Sequence, residues 1–388
     1  MRKILFIIFV PIFFLGCQKD EVITPDESGL KPPQQKNEID LIGFAGHDIK
    51  AIAVNVKEPN NILISTAKPG KRIYISRNYG LSWSIAKDSF YSLCLSFDLH
   101  KPSNIYIAHN SDRSYALIPP LLLKSNDYGQ TWVSADSGIL VGAGERHITT
   151  ISKDYFNQNF IYLVATANFN IQPSSSFAYF SQTFISTNGG VSFSQDIDIN
   201  ILNSIGWVFV GDFATSNLKT GTIYAAIIGD NNNYDIAESS DFGVSWTAKN
   251  IIDNWYSDFI RVYNNFVILK VTDYPRLNKE LIYKYKGKIL LSKDFGNSFT
   301  ILDTNLIDYS DVNDMLITPE GYIIFTATLN SDPSKSTIYI SKDGGISWQN
   351  LVNNDFDSKT LLAYDSKNKF LYVVKDRVNK GLYRIKLN

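Results

Sequence analysis

Four aspartates stand at or near the start of apolar, strand-like segments, where a carboxylate could do acid–base chemistry. Glycoside hydrolysis uses two such groups, one to protonate the leaving oxygen and one to act as base or nucleophile. Spacing along the chain does not show that any two of them face each other, so they are catalytic candidates without an assigned partner. The four residues are Asp48, Asp258, Asp311 and Asp314.

A second set of residues could bind a ligand without transforming it. Aromatic side chains with a few polar groups among them suit sugars or peptides. The alternative, which stays open here, is that these side chains only pack the surrounding loops against one another. The set comprises Tyr115, Arg146, His147, Trp207, Trp255, Tyr274 and Arg276.

An octet of the form Ser-x-Asp/Asn-x-Gly-x-Ser/Thr-Trp/Phe occurs six times. Its Asp or Asn can accept hydrogen bonds from the turn's own backbone amides, and its Gly permits a left-handed backbone. We therefore assign these acids a structural role, not a catalytic one, and expect the final aromatic ring to pack between neighbouring units. The copies occupy residues 76–83, 125–132, 186–193, 239–246, 292–299 and 341–348. Their third and eighth residues are Asn78 and Trp83, Asp127 and Trp132, Asn188 and Phe193, Asp241 and Trp246, Asp294 and Phe299, and Asp343 and Trp348.

The spacing of the octets indicates the fold class. Their final aromatic residues are 49, 61, 53, 53 and 49 residues apart, which is typical of a repeat architecture. Each repeat holds four apolar, strand-length segments bounded by Gly, Pro or Asn, and the octet joins the third segment to the fourth. Four-stranded antiparallel units repeated radially predict an all-β chain that forms a single β-propeller.

The number of blades depends on how the two ends of the chain pair. Residues 357–388 follow the last octet and contain three more strand-like segments, but no fourth. The segment EIDLIGF at 38–44 precedes the first unit and can supply the missing strand. That pairing would close a ring of seven blades and cover the exposed sheet edges. The alternative is a ring of six blades followed by a hairpin.

The octets resemble the Asp-box, or BNR, repeat of sialidases, sortilin-type receptors, xyloglucanase-type propellers and the photosystem II assembly-factor family. The resemblance covers residues 40–388. It implies a β-propeller, and because those families differ in activity it implies no single function.

The N-terminus has the features of an export signal. Arg2 and Lys3 precede an apolar run that ends in Phe-Leu-Gly-Cys, which resembles a bacterial lipobox with Phe14 where Leu is usual. We predict a signal peptide at 1–16, lipidation of Cys17, a disordered tether through residue 38 and a propeller at 39–388. Gln-Lys-Asp-Glu after the cysteine is similar to the surface-export signal of Bacteroidetes-type lipoproteins. The expected location is the outer membrane, exposed at the cell surface; the alternative is a soluble secreted protein cleaved elsewhere.

Composition argues against several classes of partner. The formal charge is −1, the isoelectric point is near 6.4, and there is no basic stripe, so nucleic acid is not expected as a partner. The two cysteines, Cys17 and Cys94, do not suggest a disulfide framework. The four histidines lack metal-ligand spacing, so we predict no metal and no cofactor. The sequence leaves the oligomeric state open.

The strand order predicts which side of the propeller could carry a site. Octets and first-to-second-strand turns should share one face, and the second-to-third-strand loops and the connections between blades should share the other. Long loops are expected at Asn110–Pro120, Ala167–Gln182 and Thr272–Lys288. Loops on a rigid scaffold are where binding residues are usually found.

Three functions are compatible with these features. We favour a non-catalytic binding module for a glycan or a protein, which an N-terminal lipid anchor holds at the membrane. One alternative is a xyloglucanase-like or sialidase-like glycoside hydrolase that uses the funnel carboxylates, although the Arg-Ile-Pro motif of sialidases does not occur. The other alternative is an assembly or scaffold factor for an envelope complex.

Overall fold

The structure is a computed structural model. It describes residues 39–109, 121–139, 145–171, 176–194, 208–229, 236–249, 255–273, 287–302, 311–332, 334–357, 360–375 and 380–387. The described residues belong to one compact unit that spans Asn37–Asn388.

The described residues form strands and turns, with no helix among them. The strands are β1 (Ile39–Gly43), β2 (Asp48–Val54), β3 (Ile62–Lys68), β4 (Arg72–Ser76), β5 (Ser84–Asp88), β6 (Ser92–Phe97), β7 (Ile105–His109), β8 (Leu122–Ser125), β9 (Val133–Ser134), β10 (Glu145–Lys153), β11 (Ile161–Ile171), β12 (Ser176–Ser186), β13 (Val208–Thr215), β14 (Ile223–Gly229), β15 (Ile236–Ser239), β16 (Thr247–Lys249), β17 (Trp255–Tyr263), β18 (Phe266–Asp273), β19 (Gly287–Ser292), β20 (Thr300–Ile301), β21 (Asp311–Ile317), β22 (Ile323–Thr328), β23 (Lys335–Ser341), β24 (Gln349–Asp357), β25 (Leu361–Asp365), β26 (Phe370–Lys375) and β27 (Gly381–Lys386).

The strands pair into seven antiparallel sheets, which are the blades of a β-propeller. Blades 1, 2, 4, 5 and 6 each use four consecutive strands, starting with β2, β6, β13, β17 and β21. Blade 3 pairs β10, β11 and β12, and a single bridge between Ile185 and Ser194 stands where its fourth strand would be. Blade 7 combines β25, β26 and β27 with β1, and Ile39 lies opposite Ile385. The seven-blade prediction with an N-terminal closing strand is therefore confirmed, and the six-blade alternative is wrong.

Apolar side chains between blades explain why the ring is stable. The second strand of each blade is covered on both faces, and its residues are therefore apolar in succession, as in Ile62–Ile64. Seven hydrophobic clusters fill the seven contacts between neighbouring blades. The cluster that joins the last blade to the first contains Tyr372 and Leu382 from blade 7 and Ile62 and Ile64 from blade 1.

Backbone hydrogen bonds identify the two faces of the ring. Tyr79 of the first octet donates its N–H to the Asn60 carbonyl, in the turn between the first two strands of the same blade, at 3.1 Å. The same contact recurs between Tyr128 and Ser103 at 3.0 Å. Octets and first-to-second-strand turns therefore share one side, the octet face. The opposite ends of the strands, with the described connections at 44–47 and 89–91, form the other side, the crossover face.

One predicted loop is wrong. The segment Ala167–Gln182 is mostly the tip of a long hairpin, in which β11 and β12 pair from Ala167 opposite Phe180 to Ile171 opposite Ser176. Its aromatic and apolar residues have high strand propensity, and cross-strand pairing keeps the two strands together beyond the blade. The other two predicted loops lie largely outside the described residues: Asn110–Pro120 entirely, and 274–286 of the second.

Among the described residues, no helix could cross a lipid bilayer.

Candidate functional site

The octet acids anchor their own turns. Asp127 accepts hydrogen bonds from the Thr131 N–H at 2.9 Å, from the Thr131 hydroxyl at 2.5 Å and from the Ser125 hydroxyl at 2.7 Å. These bonds, above all those from Thr131, hold the pKa of Asp127 down at about 2. The carboxylate is therefore anionic at neutral pH and fully occupied, so it is not available as a proton donor.

Asparagine does the same work in two blades. The side-chain oxygen of Asn78 accepts a hydrogen bond from the Ser82 N–H at 2.9 Å, and its amide nitrogen donates to the Ser82 hydroxyl at 2.8 Å. Asn188 contacts Ser192 in the same way. Asparagine thus bonds to the same partners as aspartate at the third position of the octet. This position therefore needs a hydrogen-bond acceptor and not a titrating group.

The final aromatic residue of every octet packs toward the preceding blade. Trp132 of blade 2 belongs to the cluster between blades 1 and 2, and its Nε1 donates to the Ala86 carbonyl of blade 1 at 2.9 Å. A tyrosine on the second strand of the preceding blade often completes the contact. The Tyr224 hydroxyl of blade 4, for example, donates to the Phe295 carbonyl of the next octet at 3.0 Å. Each octet therefore stabilises its own turn and also contacts the preceding blade.

The first strands of the blades surround the central channel, and six of the seven carry a β-bulge at the same place. A bulge leaves one residue unpaired and re-aims the side chains next to it. Asp212 and Asp314 come directly after the bulges of β13 and β21. The unpaired residues are Lys50, Leu93, Thr149, Gly211, Asp258 and Asn313.

Polar side chains link five successive blades around the channel. Asp212 of blade 4 accepts a hydrogen bond from the Thr150 hydroxyl of blade 3 at 2.8 Å. Its other oxygen pairs with Nη1 of Arg261 in blade 5 at 2.7 Å. Nη2 of Arg261 is 3.9 Å from Oδ1 of Asp314 in blade 6, and Oδ2 of Asp314 accepts the Leu362 N–H of blade 7 at 2.8 Å. We call these side chains the channel network.

Of the catalytic candidates, Asp314 lies in this network. Burial raises the pKa of Asp314, while Arg261 and the backbone amides of Leu362 and Met315 oppose the rise. Its side chain is only 14% exposed, and both oxygens accept backbone hydrogen bonds. The carboxyl thus holds neighbouring strands together on the channel side.

The other catalytic candidates lie on three separate blades, and two of them have a charged partner in the described residues. Asp48 begins β2 and pairs with Lys50 at 2.7 Å, and Asp311 begins β21 and is 3.2 Å from Nζ of Lys270. Asp258 is the bulge residue of β17, and its side chain lies outside the described part of the structure.

The ligand-binding candidates that the structure describes begin first strands on the crossover face. Arg146 and His147 lie near the start of β10, and Trp255 is the first residue of β17. For Arg146 and Trp255 the description covers the backbone alone. Four further candidates lie outside the described residues, as does the lipidation site: Tyr115, Trp207, Tyr274, Arg276 and Cys17.

Several polar atoms in the crossover half of the ring are buried without a hydrogen bond. Nδ1 of His47, Oε1 of Gln182 and Oγ of Ser257 make none to the described residues. His47 precedes the first strand of blade 1, and burial, followed by the nearby Arg72 charge, lowers its pKa. Such atoms are costly unless water or a ligand satisfies them. These atoms come from blades 1, 3 and 5, so the crossover face is the candidate binding surface.

The connection between blades 1 and 2 carries two buried aromatic residues, Phe90 and Tyr91. Nζ of Lys71 lies 5.1 Å from the Tyr91 ring centre, and the Phe90 and His109 rings are 4.7 Å apart. Among the described residues, no group of three or more His, Cys, Asp or Glu side chains could hold a metal ion.

Comparison with known proteins supports the repeat and the fold. The family model for the BNR/Asp-box repeat matches residues 339–350, which contain the last octet. The chain is a seven-bladed β-propeller that carries the Asp-box repeat. No curated protein matches it in sequence.

Solved structures similar to this Asp-box propeller differ in activity. A xyloglucanase of family GH74 from Xanthomonas campestris aligns with a TM-score of 0.63 at 12% identity, over 90% of this chain and 53% of that one. The propeller therefore spans about half of that enzyme. YCF48 from Cyanidioschyzon merolae aligns with a TM-score of 0.54 at 14% identity, over 90% and 98% of the two chains. An oligogalacturonate lyase aligns with a TM-score of 0.61 at 8% identity, over 91% and 93%. At such identities the likeness shows the fold alone.

Sequence reasoning missed Asp212, which neither site prediction included. Its signal was a charged residue inside the apolar strand VFVGDFAT. It also missed a second set of turn residues at the ends of first strands. Asp98 accepts the N–H groups of His100 and Lys101, and Asn55, Asp154 and Asp365 cap the equivalent turns in their blades.

Proposed function

We propose that this Asp-box propeller is a non-catalytic binding module whose ligand, a glycan or a protein, binds the crossover face. The observation that carries the proposal is the pair of polar atoms on that face that make no hydrogen bond to the described residues, on the partly exposed His47 and Gln182. A ligand that donates and accepts hydrogen bonds would satisfy them.

The channel carboxylates support binding over hydrolysis. Asp212 and Asp314 flank one guanidinium and accept backbone N–H groups. A general acid or base must exchange a proton with the substrate, and a carboxylate held in this way is poorly placed to do so.

Similar structures are consistent with either ligand class. YCF48 has been solved bound to a D1 peptide, with a TM-score of 0.54 to this chain at 14% identity. The GH74 neighbour is named as a xyloglucanase. The proposal for this chain includes delivery to the outer membrane surface through lipidation of Cys17, on the strength of the signal-like segment 1–16. A protein ligand would make it an assembly or scaffold factor.

A binding screen with a cleavage check tests the proposal. The unit 37–388 would be applied to a glycan array and to a displayed peptide library, and retained ligands would be incubated and examined for cleavage. We expect specific retention, no cleavage, and at least a tenfold weaker affinity in Gln182→Ala or His47→Ala, since each removes a contact worth about 1.4 kcal/mol or more. Asp40→Ala, on the outer strand β1, is the matched control. Cleavage, or retention unaffected by either variant, would contradict the proposal.

A further inference from the structure

The octet face exposes more large apolar side chains than the rest of the described surface. Four octets carry one at their sixth position, and these four are 70 to 79% exposed. The turns between first and second strands add three more on the same face. These seven are among twelve exposed large apolar side chains in the described residues. The octet residues are Leu81, Val191, Val244 and Ile346, and the turn residues are Val56, Phe156 and Leu218.

The arrangement of these apolar side chains suits contact with a flat surface better than binding of a ligand in a groove. The four octet residues come from blades 1, 3, 4 and 6, so they are distributed around the ring. Each stands at the tip of a turn that is fixed by its own hydrogen bonds, such as that from the Ser245 N–H to Asp241 at 2.8 Å. A rigid ring of separate apolar tips matches a flat, deformable apolar surface, which a bilayer interface provides.

Basic residues stand between the apolar tips. Lys57 and Lys101 lie on the exposed first-to-second-strand turns of blades 1 and 2, and Lys293 occupies the second position of the blade 5 octet. The octet acids are held by their own turns, as Asp294 is by Ser298. Lysine side chains can extend beside apolar groups and place their ammonium groups among lipid phosphates.

The chain also enters the propeller on this face. Ile39, the first residue of β1, lies opposite Ile385 near the end of β27. The next residue but one, Leu387, donates its N–H at 2.9 Å to the Lys369 carbonyl, in a turn of the octet face. Segment 17–38, which the sequence assigns as the tether, is joined to Ile39 at this point. A random coil of that length spans about 25 Å, so an anchor at Cys17 would keep this face nearest the membrane.

We propose that the octet face is a lipid-contact surface. Its apolar tips rest in the interfacial layer of the membrane that anchors the chain, and the crossover face with its binding site points away. A weak contact suffices, because the tether raises the effective concentration of the face at the membrane. The inference rests on the lipid anchor at Cys17 that the proposed function includes. Its test measures lipid contact by the octet face separately from lipidation of Cys17.

Site-specific photocrosslinking tests the contact in the full chain, expressed in a Gram-negative host. The probes are Val244→p-benzoylphenylalanine and Ile346→p-benzoylphenylalanine, and the matched control is Lys335→p-benzoylphenylalanine, at the exposed start of β23 on the crossover face. We expect phospholipid adducts by mass spectrometry at the two octet positions, several-fold above the control. Equal yields at all three positions, or protein adducts in place of lipid at the octet positions, would overturn the inference.

Two further measurements make the result decisive. The mass of the N-terminal peptide shows separately whether the host acylates Cys17. In the second measurement, the Cys17 thiol of chain 17–388 is coupled to a maleimide lipid in phosphatidylethanolamine–phosphatidylglycerol vesicles. The crosslinking is then repeated on a chain whose anchoring does not depend on acylation by the host. Burial raises the pKa of Cys94 to about 12, so that thiol should not compete. The quadruple variant L81S/V191S/V244S/I346S should lower lipid adducts at Gln130→p-benzoylphenylalanine several-fold with unchanged thermal stability. An unchanged yield would overturn the role of the apolar tips.

Discussion

At the scale of single residues, the octet acids are turn anchors whose charge is stabilised by the turn. Hydrogen bonds from Thr131 hold the pKa of Asp127 at about 2, and those from Ser298 do the same for Asp294. The pKa of Asp343 is lowered in the same way, first by Ser347. A carboxyl with a lowered folded-state pKa stabilises the protein above its unfolded pKa of about 3.9, and this stabilisation is lost as the pH falls toward the folded pKa.

Replacing the three acids by asparagine should therefore flatten the acid limb of the stability curve. In the native chain we expect the free energy of unfolding to fall between pH 4 and pH 2, the window between the unfolded and folded pKa values. The variant D127N/D294N/D343N should lose less over this window, because asparagine does not titrate and already serves at Asn78 and Asn188. Urea denaturation at a series of pH values gives the comparison. If the free energy of unfolding fell equally with pH in the two proteins, the three aspartates would not be the source of the acid sensitivity.

Lys153 is a second residue with a pH-dependent role, at the contact between blades 2 and 3. Its buried ammonium donates to the Phe97 carbonyl at 2.8 Å and lies 4.2 Å from the Tyr106 ring centre. Burial lowers its pKa to about 7. Between pH 7 and about 10 the unfolded chain therefore holds a proton that the folded chain has released, and stability rises with pH.

Lys153→Met should remove most of this rise. We expect the native free energy of unfolding to increase from pH 7 to pH 9, and the variant curve to be nearly flat there, with a gain in stability at pH 6 where the native chain buries a charge. The exposed Lys101→Met is the control, with a native-like slope. A Lys153→Met curve as steep as the native one would show that the lysine does not titrate in this range.

At the scale of elements, neighbouring blades are joined by polar bonds on the channel side and by apolar clusters further out. The bulges of β10, β13 and β21 contribute to this, since the residues that follow them, Thr150, Asp212 and Asp314, bond to neighbouring blades. Asp212 then satisfies the Arg261 guanidinium and the Ile260 N–H of blade 5. Blades 3 to 7 are thus held by directional bonds that set the position of each relative to the next.

Asp212→Ala should cost about 3 kcal/mol of unfolding free energy, because it leaves a partly buried guanidinium and a backbone amide without an acceptor. Chemical denaturation measures the loss. Asp40→Ala, which removes an exposed carboxylate 3.7 Å from Arg384, should stay within about 0.5 kcal/mol of the native value. Equal losses in the two variants would mean that the channel network does not stabilise the ring.

At the scale of the whole molecule, closure of the ring depends on the N-terminal strand. β1 covers the edge of β27, and Ile39, Ile42 and Phe44 pack against the clusters on either side of blade 7. Without it, blade 7 would end in an open edge with unpaired backbone groups.

Removal of β1 should destabilise and associate the protein. A chain that begins at residue 45 should lose about 4 kcal/mol, since three partly buried apolar side chains each contribute about 1 to 2 kcal/mol. It should also elute as oligomers, because the β27 edge can pair with another chain. The chain 37–388 is the control and should remain native-like in thermal melting and gel filtration. A native-like melting temperature and elution for the shorter chain would contradict closure by β1.

From the sequence alone, the repeat was evident and seven blades with an N-terminal closing strand were favoured over six, and the pairing of β1 with β27 decided between them. The octet is a local device in which Ser, Asp or Asn, Gly and an aromatic residue satisfy one turn, so its chemistry can be read without knowledge of distant residues. The apolar runs between octets have the period and length of strands, and the missing fourth strand at the C-terminus pointed to residues 38–44.

The tertiary structure decided which side chains meet. Asp212, Arg261 and Asp314 are separated by 49 and 53 residues in the chain, so only closure of the ring brings them to one channel. The extension of β11 and β12 into a long hairpin depends on pairing across strands, which composition could not fix. The apolar side chains of the octets form one surface because the fold places all the octets on the same side of the ring as Ile39. Long-range contacts of this kind arise from packing, and a one-dimensional pattern carries no information about which distant positions become neighbours.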